Sequence, residues 1–343
     1  MKTTVYLCRH GQCQGNRYRY NDGQYNSPLT GLGKRQAVAL SRRFADEKID
    51  AVYASDISRS YDTALVVAKD RGLEVQIHKG LREGNYGVWD HMLWADIEEK
   101  WPGYTYLYDH EMDKWMVPGA ERLEHEIERN VAAIREIAAE NEGKTVVIVG
   151  HGDAIRLSLG IFNGYSLDEI GHHSGYSTPG AVSKLEFEDG KATVVYEHDF
   201  SHLDDSTLQK TSPMWSRGFK YRILAPSEEL SIEGWDKPLD RNVGTWIAGF
   251  RDGVPAALLQ LLPTDIEHPG EVGFYYVAPA FRGQKVGIIA LGQAVEIYRN
   301  CAVRKMIMHI PEEFAGFFEK FDFTHVKDDI WELEIEPVKE IDR

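Results

Sequence analysis

The first two hundred residues alternate between short apolar runs and stretches in which apolar residues recur every three to four positions. The runs predict strands, and the last of them, TVVIVG, is apolar throughout, as in a strand covered on both faces. The periodic stretches predict amphipathic helices. The predicted strands are 3–8, 51–55, 74–78 and 145–150, and the predicted helices are 30–46, 58–71 and 120–142. With a late hairpin at 184–197, this order predicts a three-layer α/β/α domain with a mostly parallel sheet.

The pattern changes near residue 206. Residues 204–240 are polar and interrupted by three prolines, so we expect them to contribute little core. A smaller α+β unit follows, consisting of a hairpin at 244–261, strand 271–278, helix 284–300, strand 303–309, helix 312–320 and strand 330–335. We therefore predict a first domain over residues 1–206, a linker over 207–218 and a second domain over 219–343.

The charge balance limits the partners of this 343-residue chain. Its 54 acidic and 39 basic residues give a formal net charge of −15, which repels nucleic acid and anionic membranes, so an anionic ligand needs a local basic pocket. No apolar run approaches the roughly 18 residues of a membrane span, and the N-terminal run is too short for a signal peptide. Three cysteines are a sparse, odd number, as expected of reduced thiols. We expect a soluble, cytoplasmic protein.

Two predicted strands end in similar polar turns, LCRHG at 7–11 and IVGHG at 148–152. Ligands of open parallel sheets bind outside the carboxyl ends of the strands, so His10 and His151 should face one pocket. Arg9 and Arg59 would bring guanidinium groups suited to bidentate phosphate binding, and Glu83 would bring a carboxyl group. Phosphoryl transfer uses such groups as a nucleophilic imidazole, a cationic clamp for the equatorial oxygens and a proton donor for the leaving alkoxide.

These residues lie in a series of motifs with a specific order and spacing. The motifs are RHG (9–11), Asn16, SPLTGLGKRQA (27–37), SDISRSYDTA (55–64), LREGNYGVWD (81–90), VPGAERLEHEIERN (117–130) and VGHGDAIR (149–156). In these motifs the first 200 residues resemble the histidine phosphatase superfamily, the phosphoglycerate mutase-like group. The resemblance covers nearly the whole first domain.

The resemblance implies a role for each matching residue. His10 would be the phosphorylated nucleophile, and Glu83 would be the proton donor. Arg9, Arg59 and His151 would clamp the phosphate, with Gly11, Asn16 and Arg82 as further substrate-binding residues. Cys13 and Gly15 stand where the family usually has Thr and Trp. These departures leave the clamp intact but alter the wall of the pocket.

The segment after Glu83 separates the branches of this family. Residues 85–103 lack the run with which the mutases hold a bisphosphorylated intermediate, and they are more similar to the broad-specificity and ribazole-type phosphatases. We therefore predict a phosphomonoesterase that acts on a small phosphorylated metabolite without a metal or other cofactor. Phosphoryl transfer of the phosphoglycerate mutase type is the alternative within the family.

The second domain carries a candidate phosphate loop. The segment EVGFYYVAPAFRGQKVGIIALGQAVEIYR (271–299) combines a strand, a loop and an amphipathic helix whose N-terminus can bind a pyrophosphate. With FFEKFDF at 317–323, it resembles the GNAT acetyltransferase family. The resemblance implies acetyl-CoA as a ligand of Val277, Arg282, Gly283, Lys285 and Gly287.

Two departures weaken the inference of acetyltransferase activity but not that of the fold. Lys285 stands where the family has its central Gly, and Phe318 stands where many members have the Tyr that protonates the CoA thiolate. Acetyl transfer as the main activity is one alternative hypothesis, and a non-catalytic binding module in the second domain is another.

Three further features favour structural interpretations. Residues 86–115 are rich in aromatic side chains, which more often pack as a small core than line a substrate lid. His172 and His173 are adjacent, a spacing that does not converge on one metal ion, and we expect them in a loop. Cys13 lies near the pocket, and we expect it to be a passive thiol rather than a redox sensor.

Overall fold

The computed structural model describes residues 1–207 and 218–335, which contain two separate sheets. The strands are β1 Thr3–Arg9, β2 Ala51–Ala54, β3 Val75–Ile77, β4 Thr145–Gly150, β5 Val182–Glu188, β6 Lys191–Asp199, β7 Phe219–Ile223, β8 Thr245–Arg251, β9 Val254–Leu261, β10 Gly270–Val277, β11 Lys305–His309, β12 Thr324–Lys327 and β13 Ile330–Glu334. The α-helices are α1 Gln14–Tyr18, α2 Gly31–Arg43, α3 Ser58–Lys69, α4 Trp94–Lys100, α5 Tyr104–His110, α6 Leu123–Glu140, α7 Gly152–Phe162, α8 Leu167–His173, α9 Val286–Asn300 and α10 Ala315–Glu319.

The first sheet has six strands in the order β3-β2-β4-β1-β5-β6, and its first four strands are parallel. Alternate residues of β1 explain its two covered faces. Val5 and Leu7 pack with residues of α6 and α7, whereas Tyr6 and Cys8 pack on the other face with residues of α2 and α3. The predicted three-layer α/β/α architecture is therefore confirmed.

The second sheet has seven strands in the order β12-β13-β11-β10-β9-β8-β7. Only β10 and β11 are parallel, and they pair over Gly270–Val272 alone. Helix α9 buries its apolar side chains against one face of this sheet. On the other face, Ile232 and Trp235 pack with Phe274. Residues 204–240, which we expected to contribute little to a core, therefore do contribute side chains to one.

The core between α9 and the second sheet also contains side chains from the first 207 residues, namely Tyr18, Tyr20, Leu93 and Ala95. Helix α1 packs directly on α9. The two backbones approach so closely that a Cβ added to Gly292 would be 2.9 Å from the carbonyl oxygen of Tyr18. The two sheets are thus joined by a shared apolar core. The predicted linker lies mostly in residues 208–217, outside the described residues.

No helix within the described residues is both long enough and apolar enough to cross a membrane.

Candidate active site

The carboxyl ends of β1 and β4 form the centre of the site. The two strands are parallel neighbours, and Arg9 pairs with Gly150, so His10 and His151 emerge side by side. Their ring centroids are 5.4 Å apart. The structure thus brings together the two histidines that the sequence places after separate strands.

His10 is buried and held in one tautomer. Its Nδ1 lies 2.7 Å from the carbonyl oxygen of Gly11, and its Nε2 lies 3.2 Å from Arg59 Nε. A carbonyl can only accept and a guanidinium can only donate, so Nδ1 carries the proton and Nε2 keeps its lone pair. Burial, followed by the charges of Arg59 and Arg9, lowers the pKa of His10 well below its usual value. The imidazole is therefore neutral, as a nucleophile must be.

Arg59 is positioned by the loop that precedes α2. It lies in the first turn of α3, is 2% exposed, and donates through Nη1 to the carbonyl of Tyr25 and through Nη2 to that of Gly23, each at 2.8 Å. With Nε on His10, all three guanidinium nitrogens have a partner. The loop therefore determines the plane of the guanidinium.

His151 and Glu83 meet at the start of α7. His151 is the N-cap residue of this helix, and its Nε2 lies 2.7 Å from Ser55 Oγ. The Glu83 carboxylate accepts from the backbone N–H of Ala154 at 3.0 Å, which places it at the positive end of the helix dipole. Burial, followed by the charge of Asp153, nevertheless raises the pKa of Glu83 to about 7. A carboxyl group with that pKa can exchange a proton near neutral pH.

Five of the predicted site residues line one cavity of about 610 Å³. They are Arg9, His10, Asn16, Arg59 and Glu83. His151 is fully buried and does not line this cavity, although Gly152 and Asp153, which follow it, do. Within residues 1–207 and 218–335, no three His, Cys, Asp or Glu side chains are grouped so that they could hold a metal ion.

Two residues predicted to bind substrate lie outside this lining. Arg82 forms a bidentate ion pair with Asp56, with its Nε 2.7 Å from Oδ1. This contact is within the protein and gives Arg82 a structural role. Gly11 packs against α2, because an added Cβ would be 2.5 Å from the carbonyl oxygen of Gly33. Its N–H donates to Thr63 Oγ1 rather than into the cavity. Their role in substrate binding stays a prediction, and the structure shows a packing role for both residues.

The aromatic segment 86–115 combines the two roles that we considered. Trp89 and Trp115 are buried in a small core of their own, with ring centroids 5.4 Å apart. Tyr86, Trp94 and Tyr108 belong to the same cluster but also line the cavity. His172 and His173, expected in a loop, form the last turn of α8 instead.

Two arginines that line the cavity, Arg19 and Arg156, were not among the predicted site residues. Arg156 is 2% exposed and donates to the carbonyls of Ser174 and Asp109, each at 3.0 Å, and so ties α5 to the segment after α8. Arg19 follows α1 in a left-handed conformation with φ 65°. Arg156 lies within the VGHGDAIR motif, five residues after His151, and that position on α7 was a usable signal. No comparable signal marks Arg19.

The loop before α9 keeps part of the geometry of a pyrophosphate site. Lys285 has φ 66°, the left-handed conformation that favours glycine, and Gly283 is open to solvent. An added Cβ on Gly287 would be 2.4 Å from the hydroxyl oxygen of Tyr275. The space that this glycine leaves is thus filled by a side chain of the same domain. Val277 and Arg282 contact each other, with Arg282 Nε 3.1 Å from the carbonyl of Val277.

Comparisons with known proteins agree with both halves of the architecture. Residues 5–199 match the model of the histidine phosphatase superfamily (branch 1). Residues 209–323 match the model of the acetyltransferase (GNAT) family. Both predicted family resemblances are confirmed.

Individual relatives match the first part of the chain. A metal-independent phosphoserine phosphatase of Arabidopsis thaliana is 31% identical over 205 residues, which are 59% of this chain and 83% of that protein. A probable phosphoglycerate mutase of Salmonella choleraesuis is 30% identical over 44% of this chain and 70% of its own length. The solved structure of Bacillus stearothermophilus YhfR superposes with a TM-score of 0.56 at 29% identity, covering 58% of this chain and 98% of that one.

Proposed function

Because this chain belongs to the histidine phosphatase superfamily, we propose that it is a metal-independent phosphomonoesterase that forms a phosphohistidine at His10. The observation that carries the proposal is the buried, neutral His10, whose unprotonated Nε2 faces the Arg59 guanidinium. A phosphoryl group that approaches Nε2 would displace the Arg59 Nε–H from the lone pair and could then be stabilised by the same guanidinium. The name of the Arabidopsis relative supports the same activity.

The reaction has two steps. In the first, His10 Nε2 forms a bond to phosphorus while the ester P–O bond breaks, and protonated Glu83 donates its proton to the leaving oxygen. In the second, water attacks the phosphohistidine, the Glu83 carboxylate takes a proton from that water, and the P–N bond breaks to release phosphate. Arg9, Arg59 and His151 stabilise the charge on the phosphoryl oxygens in both steps.

The substrate is a small phosphorylated metabolite with polar groups beyond the phosphate. The cavity is also lined by Arg19 and Arg156 together with the carboxylates of Asp22, Asp109 and Asp153, a mixed lining that suits a substrate bearing both charges. Phosphoserine is the first candidate, since a relative is named for its hydrolysis. The mutase alternative rests on the name of the Salmonella relative.

The residues of the second domain do not fit acetyl-CoA. Tyr275 fills the space beside Gly287, and Lys285 adds a side chain at the start of α9. Phe318 is 5% exposed and has no proton to give to a thiolate. We therefore propose no acetyl transfer, and the non-catalytic alternative is the one we keep for this domain.

The test is a screen of phosphorylated metabolites with the wild type and His10→Ala. We expect release of inorganic phosphate by the wild type only, and an acid-labile phosphate on His10 in rapid-quench mass spectrometry. Incubation with phosphoglycerates checks the mutase alternative, because a mutase would yield the isomer without free phosphate. Label on His151, or equal hydrolysis by His10→Ala, would contradict the proposal.

A further inference from the structure

We infer that Arg299, on helix α9 of the second domain, is a positioning residue for the phosphatase site of the first domain. The inference rests on the proposed function. It assigns to the acetyltransferase-like domain the task of holding the loop 21–26, which in turn orients Arg59.

Arg299 is a buried cation directed at the first domain. Its side chain is 1% exposed, and its Nη2 donates to the carbonyl of Asn26 at 2.7 Å. Its Nη1 lies 3.8 Å from Asp22 Oδ1, and its guanidinium carbon lies 5.0 Å from the ring centroid of Tyr20. A buried guanidinium is costly unless an opposite charge and acceptors lie near it, and the loop supplies the Asp22 carboxylate and the Asn26 carbonyl.

The same loop holds the phosphate clamp from its other side. The carbonyls of Gly23 and Tyr25 accept hydrogen bonds from the two terminal nitrogens of Arg59. Asn26 Oδ1 accepts a hydrogen bond from the backbone N–H of Ser58 at the start of α3. Arg299 therefore binds a loop of six residues, 21–26, and backbone oxygens of this loop determine where the Arg59 guanidinium lies. A shift of this loop would move Arg59 relative to His10.

Two departures from the family pattern belong to this arrangement. An added Cβ on Gly15 would be only 1.9 Å from Asp22 Oδ2, and the Cys13 thiol donates to the same oxygen at 3.3 Å. Asp22 thus occupies space that a larger residue at position 15 would take. The other carboxylate oxygen of Asp22 lies near Arg299. Asp22 therefore links the altered wall of the pocket to the second domain.

The contact between the domains leaves little room for adjustment. Gly292, two turns before Arg299, lies against the backbone of Tyr18, and a Cβ there would also be 3.5 Å from Leu93. Helix α9 therefore packs against the first domain between Gly292 and Arg299. The position of Arg299 follows from that packing rather than from the flexibility of its own side chain.

The experiment compares Arg299→Met with Arg304→Met, which removes the same charge from an exposed position of the same domain. The measurements are kcat and KM for p-nitrophenyl phosphate, the inhibition constant of inorganic phosphate, and the melting temperature. Because a misplacement of about 1 Å can cost about 100-fold, we expect Arg299→Met to lose about 100-fold in kcat/KM and to bind phosphate more weakly. Arg304→Met should match the wild type.

A role confined to stability would give a different result. Fewer folded molecules would lower the apparent kcat but leave KM and the phosphate inhibition constant unchanged, and that outcome overturns the inference. If Arg299→Met does not fold, Arg299→Lys keeps the charge without the fork geometry, and we expect it to fold with weaker phosphate binding. Kinetic constants of Arg299→Lys equal to those of the wild type would also overturn it.

Chemical rescue provides a second readout. Millimolar guanidinium chloride should partly restore the phosphate affinity of Arg299→Ala, whereas sodium chloride at equal ionic strength should not. Absence of rescue together with normal phosphate affinity contradicts the inference. Absence of hydrolysis and of phosphate binding in the wild type would instead contradict the proposed function, so the two failures are distinguishable.

Discussion

At the residue scale, burial acts in opposite directions on the two groups that the proposed reaction needs. It lowers the pKa of His10, so that the nucleophile is neutral, and it raises the pKa of Glu83 to about 7, so that the acid keeps its proton near neutral pH. Both effects follow from the cost of holding a charge away from water. The guanidinium groups of Arg59 and Arg9 then favour neutral His10 further and partly oppose the shift of Glu83.

The pKa of Glu83 leads to a prediction about pH and leaving groups. The first step needs the protonated carboxyl, so kcat/KM for an alkyl phosphate should fall as the pH rises above about 7. Glu83→Gln cannot donate a proton, and it should lose about 100-fold or more on alkyl phosphates but much less on nitrophenyl phosphate. Steady-state kinetics over a pH series measure both effects. Equal losses on the two substrates would contradict the role of Glu83 as the acid.

The cysteines give a prediction that needs no substrate. Cys8 and Cys13 are buried, whereas Cys301 is exposed. Burial, followed by the charge of Asp22, raises the pKa of the Cys13 thiol to about 12, so its reactive thiolate is scarce. A disulfide reagent should titrate one thiol in the native protein and three after unfolding. Rapid labelling of Cys13 in the native state would show that it is not passive.

At the element scale, helices and hairpins encoded by nearby residues were predicted correctly, whereas elements that depend on packing between distant segments were not. Both predicted hairpins are present, and they turn at Asp189-Gly190 and Asp252-Gly253, which supply two consecutive residues with positive φ. The long helix α6 was found within three residues of each end because it has a strong apolar period. Helix α1 was missed because it has five residues and its buried Tyr18 packs against the other domain. The candidate site was largely predictable from its motifs, but the position of Arg299 depends on docking between the sheets.

The packing of α4 against α9 supports a prediction about stability. Burial, followed by the charge of Asp96 on α4, raises the pKa of Glu296 on α9 to about 8. A carboxyl whose folded pKa exceeds its ordinary value of 4.5 favours folding while protonated, and this contribution is lost as the pH rises towards 8. Glu296→Gln should therefore raise the melting temperature more at about pH 9 than at about pH 6, each measured against the wild type at the same pH. Glu229→Gln, the same substitution at an exposed position of the second domain, is the control. An equal shift at both pH values would contradict the assignment.

At the scale of the whole molecule, the second domain contributes to the first through α9, the helix that follows the candidate pyrophosphate loop. The N-terminal end of α9 is altered at Lys285, while its opposite end places Arg299 on the loop of the phosphatase site. YhfR matches 98% of its length with 58% of this chain, so almost none of it remains to correspond to the second domain. In this chain the loop 21–26 contacts a second domain through Arg299.

The last prediction follows from this arrangement and concerns acetyl-CoA. Tyr275 fills the space beside Gly287, and Tyr18 of the first domain stacks on Phe321 with a centroid distance of 6.4 Å. A cofactor would have to displace side chains that belong to the shared core, so calorimetry should detect no tight binding of acetyl-CoA to the wild type. Lys285→Gly should not restore binding, although relief of the left-handed conformation should stabilise the protein by about 1 kcal/mol. The competing hypothesis is that the Lys285 ammonium pairs with the pyrophosphate. If the wild type binds acetyl-CoA tightly and Lys285→Gly weakens that binding, the competing hypothesis is established and ours is rejected. If Lys285→Gly instead binds acetyl-CoA more tightly than the wild type, the lysine side chain alone excludes the cofactor.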